Sequence, residues 1–173
     1  LAHVLAKAIN LPFCCIPMGG SRDSSTLVGH SFCYEGSHPG SIVKSLIQMK
    51  QLNGILFLDE LDKVGKSIRG EEVSKLLLHI TDSTQNHSFK DKYLGNNIPV
   101  DLSNIFFIYS LNYENMLDRT LRDRIPIIKI SGYTKNEKRQ ITRKHLLPNA
   151  LKNIGMHIND ISFSDDGLDY IIK

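Results

Sequence analysis

Asp59 and Glu60 are adjacent carboxylates at the end of an unbroken apolar run, Ile55-Leu56-Phe57-Leu58, which follows Asn53-Gly54. Four large apolar residues between a turn signal and two charges read as a strand buried on both faces of a parallel sheet. A strand with no solvent face of its own puts its chemistry where it ends, and in open α/β sheets ligands bind at the carboxyl ends of the strands. There one carboxylate can hold a hydrated Mg²⁺ on nucleotide phosphates while the next orients or deprotonates an attacking water. The arrangement is of the Walker B type. The competing reading is a pair of acids that only caps the following turn.

The elements that would position this pair alternate along the chain. Leu1 to Ile9 predicts a helix with Leu1, Val4, Leu5 and Ile9 on its inward face. Pro12 to Met18 predicts a short strand closed by Gly19-Gly20, and residues 21–40, rich in Gly, Ser and Pro, a long exposed loop. Helices are expected over Ser41–Gln51 and Glu71–Thr81. Strands are expected over Asp101–Tyr109, with its end near Asn112, and over Ile125–Ile130. From Thr134 the pattern is helical, over Glu137–Leu147 and Asp165–Ile172. Strands interleaved with helices predict an α/β fold with a parallel sheet, and the strandless tail a separate helical subdomain.

Composition narrows the class. A chain of 173 residues, 41% apolar and 23% charged, is an ordinary globular piece. Its net charge of +3 is mild and dispersed, so nucleic acid is not indicated, and no segment is long and apolar enough to cross a membrane. Three cysteines without a CxxC pair argue for reduced thiols in a cytosol-like compartment and against a zinc site. Gly65-Lys66-Ser67 imitates the end of a phosphate-binding loop, but the glycine that motif needs five residues earlier is Glu60.

A series of motifs runs through the chain in order: Gly19-Gly20-Ser21-Arg22-Asp23, Val28-Gly29-His30, Tyr34-Glu35-Gly36-Ser37-His38-Pro39-Gly40, Leu58-Asp59-Glu60-Leu61-Asp62-Lys63, Asp82-Ser83-Thr84-Gln85-Asn86, Phe89-Lys90-Asp91-Lys92-Tyr93-Leu94, Leu121-Arg122-Asp123-Arg124 and Ser131-Gly132-Tyr133-Thr134. The series resembles the ATPase module of Lon-type AAA+ proteases over nearly the whole length. The resemblance implies an AAA+ P-loop NTPase large subdomain over residues 1–130, a parallel sheet flanked by helices, and the start of an α-helical lid over 131–173. It implies ATP and Mg²⁺ as ligands, with Asp59 as the magnesium carboxylate, through water, and Glu60 as the residue that activates the lytic water. Asn112 would be the sensor that orients that water. Arg124 would be an arginine finger reaching a neighbouring subunit's γ-phosphate, with Arg122 as its competitor.

A finger acting in trans implies a homo-oligomeric ring, by resemblance a hexamer, in the cytoplasm or mitochondrial matrix. Tyr34, with Glu35 and Gly36, would form the pore loop that grips unfolded or damaged protein substrates. Three departures from the family pattern stand out: Glu35 replaces an aliphatic residue beside the paddle, Val28, Ser31 and Phe32 replace basic residues, and Ile125-Pro126 replaces Met-Glu. The resemblance also places the Walker A loop and its strand before Leu1, and the sensor-2 arginine and Ser-Lys peptidase after Lys173, so these 173 residues alone are expected to bind ATP weakly and not hydrolyse it. A non-hydrolysing AAA+ scaffold and a DNA-directed AAA+ motor are the alternative readings.

Overall fold

The structure, a computed structural model, describes residues 1–19, 24–64, 68–157 and 160–172, with Ile68 and Arg69 by backbone alone. It divides into two compact units, Leu1–Ile127 and Ile128–Lys173. In the first, α1 (Ala2–Ala8), β1 (Phe13–Pro17), α2 (Ser25–Val28), α3 (Ser41–Met49), β2 (Ile55–Asp59) and α4 (Ile68–Thr81) follow one another, then β3 (Phe89–Lys90), β4 (Pro99–Val100), β5 (Phe106–Tyr109) and α5 (Arg119–Arg124). The second holds α6 (Lys135–Ile141), α7 (Leu147–Asn153) and α8 (Asp165–Ile171).

The main sheet is parallel, in the order β1-β2-β5, with Phe13 beside Ile55 and Ile55 beside Phe106. β2 is therefore bonded on both edges, and Ile55, Leu56 and Leu58 are fully buried, as an apolar run of that kind requires. Helix α3 presents Ile42, Leu46 and Met49 to the core and α4 presents Val73, Leu77 and Ile80, each set at helical spacing. Burying a Leu or Ile side chain contributes about 1.5–3 kcal/mol, so these two stripes hold helices on a sheet whose own hydrogen bonds contribute little net. The fold is α/β, a parallel sheet flanked by helices.

Several expectations are corrected. Helix α1 turns Ala2 and Ala6 inward and leaves Leu1, Val4 and Ile9 exposed, so the small residues, which let a helix axis approach closely, win over the large ones. The stretch expected to be an exposed loop contains α2, whose Leu27 and Val28 are buried; two adjacent apolar residues suffice to pull it against the core. The segment Asp101–Ile105 is a turn in which Asp101 accepts the Ser103 N–H at 2.8 Å, and β5 starts only at Phe106. No strand forms over residues 125–130. Pro126 has no N–H to donate, no described strand lies alongside, and Ile128 and Ile130 are 86% and 74% exposed. The antiparallel pair β3–β4, Phe89 opposite Val100, had no alternating signal long enough to announce it.

In the second unit the helix predicted over Glu137–Leu147 runs from Lys135 to Asn153 without a break. A full capping box starts it, Thr134 and Glu137 exchanging bonds. Its middle, Thr142–Leu146, is a π turn in which the Leu147 N–H reaches back to the Thr142 carbonyl, and Pro148 follows directly. Arg139 clamps Asp169 on α8 with a bond of 2.6 Å from Nη2, and Lys135 adds a second cation at 2.9 Å. Among the described residues no helix is long and apolar enough to cross a membrane, and Cys14, Cys15 and Cys33 are all free thiols.

Candidate active site

Asp59 is the last residue of β2, and Glu60 the first beyond it. Glu60 has φ 58 and ψ 48, a left-handed backbone that costs a residue with a Cβ roughly 1–2 kcal/mol. That conformation ends the strand directly after Asp59. Its surroundings hold it there: the Glu60 N–H donates to Ser110 Oγ at 3.0 Å, and Lys63 Nζ lies 3.3 Å from Oε1. Ser110 Oγ in turn donates a short hydrogen bond to the Asp59 carboxylate.

The other wall comes from β1. The Met18 N–H donates to the Asp59 carbonyl at 2.8 Å, which brings Gly19 against Glu60. A Cβ on Gly19 would fall 2.2 Å from Glu60 Oε2, so a larger residue there would push this carboxylate aside. The two acids thus sit between the carboxyl ends of both neighbouring strands. Among the described residues no group of three His, Cys, Asp or Glu could hold a metal by itself. That donor set, one hard carboxylate on a strand end, fits Mg²⁺ held jointly with phosphates and does not fit an all-protein cage.

Among the described residues none of the remaining candidates bonds to this pair. Asn112 is exposed, beyond the end of β5 and not at it as expected, and makes no hydrogen bond to Asp59 or Glu60 among the described residues. Arg124, the last residue of α5, donates from Nη1 to the Leu78 carbonyl at 3.3 Å and to Asp82 Oδ2 at 3.2 Å, at the end of α4. The Thr84 hydroxyl and N–H, ahead of Arg124, hold the Asp82 carboxyl below its ordinary range. Arg122 is half-buried and has no ion pair among the described residues.

Tyr34 stands at the tip of a loop whose two ends touch. At its neck a Cβ on Gly40 would lie 2.6 Å from the Gly29 N, and Gly29 itself has φ +74. At its tip Ser37 N–H donates to the Tyr34 carbonyl at 3.1 Å through Gly36, φ +76, leaving Glu35 exposed and Tyr34 71% exposed beside Phe32 at 67%. Asp91, 1% exposed, locks the neck: it accepts the Gly40 N–H at 2.8 Å, the Tyr93 N–H at 2.8 Å and the Leu94 N–H at 3.4 Å. Gly20 to Asp23 and Gly65 to Ser67 lie outside the described residues.

Ser110 escaped sequence reasoning, and Asp82 and Asp91 entered it only inside motifs, with no role of their own. Ser110 acts through strand register, since Leu58 pairs with Tyr109 and the next residues along are Asp59 and Ser110. That pairing is invisible until the partner strands are known. A hydroxyl at the end of one apolar run, with a carboxylate at the end of another, was the one available signal.

Residues 1–133 match the family described as ATPase family associated with various cellular activities (AAA). Over all 173 residues the chain is similar to the Lon protease of Campylobacter concisus (strain 13826), at 45% identity and covering 21% of that protein. It is similar over the same span to the Lon protease of Helicobacter pylori (strain ATCC 700392 / 26695), at 40% identity and 20% coverage. A Lon protease homolog of Acanthamoeba polyphaga mimivirus is 38% identical, with 17% of its length covered. The chain spans about a fifth of the length of these curated relatives.

Proposed function

The chain belongs to the AAA family of ATPases as a module of Lon type, and on that premise we propose that in its parent protein it hydrolyses ATP to unfold and translocate protein substrates toward a peptidase. The carrying observation is the acidic pair itself, on the central strand, one member bonded to Ser110 and the other in left-handed backbone between β1 and β5. Strain of that kind persists where surroundings over-determine it, and it clusters at functional sites.

Asp59 is the residue that would hold Mg²⁺, which when bound neutralises charge on the β- and γ-phosphates. Glu60 accepts the water's proton as the water oxygen bonds to the γ-phosphorus and ADP departs. Asn112 orients that water. Arg124 leaves its bond to Asp82 and serves the active site of the next subunit in a closed ring of six, where such a finger contributes about 10³–10⁵ in rate. Tyr34, with Glu35 and Gly36 beside it, grips the polypeptide, and residues 131–173 open the helical lid. Mg-ATP, an unfolded protein and further copies of the chain are the partners this reading requires.

Glu60→Gln in the full-length protein tests the assignment. Nucleotide affinity should stay near that of the wild type while steady-state hydrolysis falls by several orders of magnitude, because the magnesium carboxylate is untouched and the base is lost. Turnover within tenfold of wild type would remove Glu60 from the chemistry.

A further inference from the structure

Ser110 bonds to four consecutive residues of the acidic strand and its continuation. Its N–H donates to the Leu58 carbonyl at 3.0 Å and its carbonyl accepts the Leu61 N–H at 2.9 Å. Between these backbone bonds its hydroxyl accepts the Glu60 N–H at 3.0 Å and donates to Asp59 Oδ1. A serine hydroxyl has a single proton. Because the oxygen receives the amide, the proton is committed to the carboxylate, and amide, hydroxyl and carboxylate form one directed chain. Left-handed Glu60 takes the backbone out of the β2–β5 ladder at this point, and the side chain supplies the bond the ladder no longer can.

We propose that Ser110 is the positioning residue of this site: through one hydroxyl it fixes the Asp59 carboxylate and the Glu60 backbone relative to each other, so that the metal-holding and proton-accepting acids move as a unit. The proposal rests on the hydrolytic reading of Asp59 and Glu60. Without the hydroxyl the half-buried Glu60 N–H has no partner and one Asp59 oxygen loses its donor. The acids are then free to rotate independently, while nucleotide contacts elsewhere are untouched.

The test compares Ser110→Thr, Ser110→Val and Ser110→Ala in the full-length protein, with Glu60→Gln alongside. Thr and Val share shape and β-branching, so they differ at this site only in the hydroxyl. Ser110→Val and Ser110→Ala should lower kcat for ATP about ten- to a hundredfold, the worth of one hydrogen bond to a charged group. Both should raise the Mg²⁺ midpoint, read at half-maximal rate and, without turnover, by calorimetric titration of the ADP-loaded protein, and leave the KM for ATP, at saturating Mg²⁺, close to wild type. Ser110→Thr should restore both kcat and the Mg²⁺ midpoint. Equal rates for the Thr and Val variants, whether both active or both impaired, would overturn the positioning role. Should Glu60→Gln itself retain turnover, the hydrolytic reading fails first and the role of Ser110 fails with it.

Discussion

Asp91→Ala should detach the Tyr34 loop from the body of its unit without unfolding the sheet. The carboxylate is 1% exposed and receives two backbone N–H groups at 2.8 Å and a third at 3.4 Å, one of them from Gly40 at the loop's neck. A hydrogen bond to a charged acceptor is worth about 1.5–3 kcal/mol net, and each buried donor left without a partner adds its own desolvation cost. Counting the two short bonds fully and the long one little gives roughly 3–5 kcal/mol, less whatever water recovers on entering the gap. At 1.4 kcal/mol per factor of ten, the amide of Gly40 should then exchange about 10²–10³ times faster. Hydrogen exchange read by mass spectrometry on the full-length protein isolates peptides covering residues 24–40 and 55–59. The first should lose protection and the second keep it. Asp91→Asn should fall between, since one amide oxygen can still serve one donor while the NH₂ opposes the other. Unchanged Gly40 protection in Asp91→Ala would refute the view that this carboxylate holds the neck, and equal loss in both peptides would make it a global packing residue.

Three further outcomes follow from named contacts. Arg124→Ala and Glu60→Gln subunits, each inactive alone, should recover partial hydrolysis when mixed, and mixed rings with confirmed subunit exchange but no gain would deny Arg124 a role in trans. Tyr34→Ala should spare basal hydrolysis and abolish substrate degradation, whereas parallel loss of the two activities would make Tyr34 a packing residue. Tyr109 has a buried hydroxyl without a partner among the described residues, so Tyr109→Phe should be neutral or stabilising by up to about 1 kcal/mol in urea unfolding. Burial also pushes the pKa of that hydroxyl above its ordinary 10.0. The unfolded chain would lose the proton first on alkaline titration, so stability should fall as pH rises past 10.0, and Tyr109→Phe should flatten that fall.

What could be read in advance was whatever a single element encodes. The run Ile55–Leu58 between Asn53-Gly54 and two acids admits one reading, and β2 is where it falls. The spacing of Ile42, Leu46 and Met49 likewise fixed the inward face of α3. Readings failed where a partner decides the outcome. Ile125–Ile130 has strand composition but no neighbour to pair with among the described residues, and α1 shows large apolar residues whose face the core does not use. Within the site, the two acids were legible because they are adjacent in the chain. Ser110 and Gly19 were not, for they meet those acids only through the register of two other strands.

The π turn at Thr142–Leu146 gives the long helix of the second unit one spare residue. A π turn is in effect a one-residue insertion that an α-helix has absorbed without breaking. Proline normally strips a helix of a donor and collides with the carbonyl four residues back. Here the ladder has already slipped to the wider spacing when the chain reaches Pro148, so the ring enters where regular bonding is already suspended. The slack is also a point of adjustment. Removing any single residue from 142–146 would close the wider spacing, swing everything beyond it by about 100°, draw it back by about 1.5 Å and set the Pro148 ring against a regular helical carbonyl. Leu151, 5% exposed, would then leave its buried position, while α6 upstream would keep its grip on α8. Length variation in this segment would therefore re-aim the second half of the helix as a rigid piece, a change of direction made by a single codon.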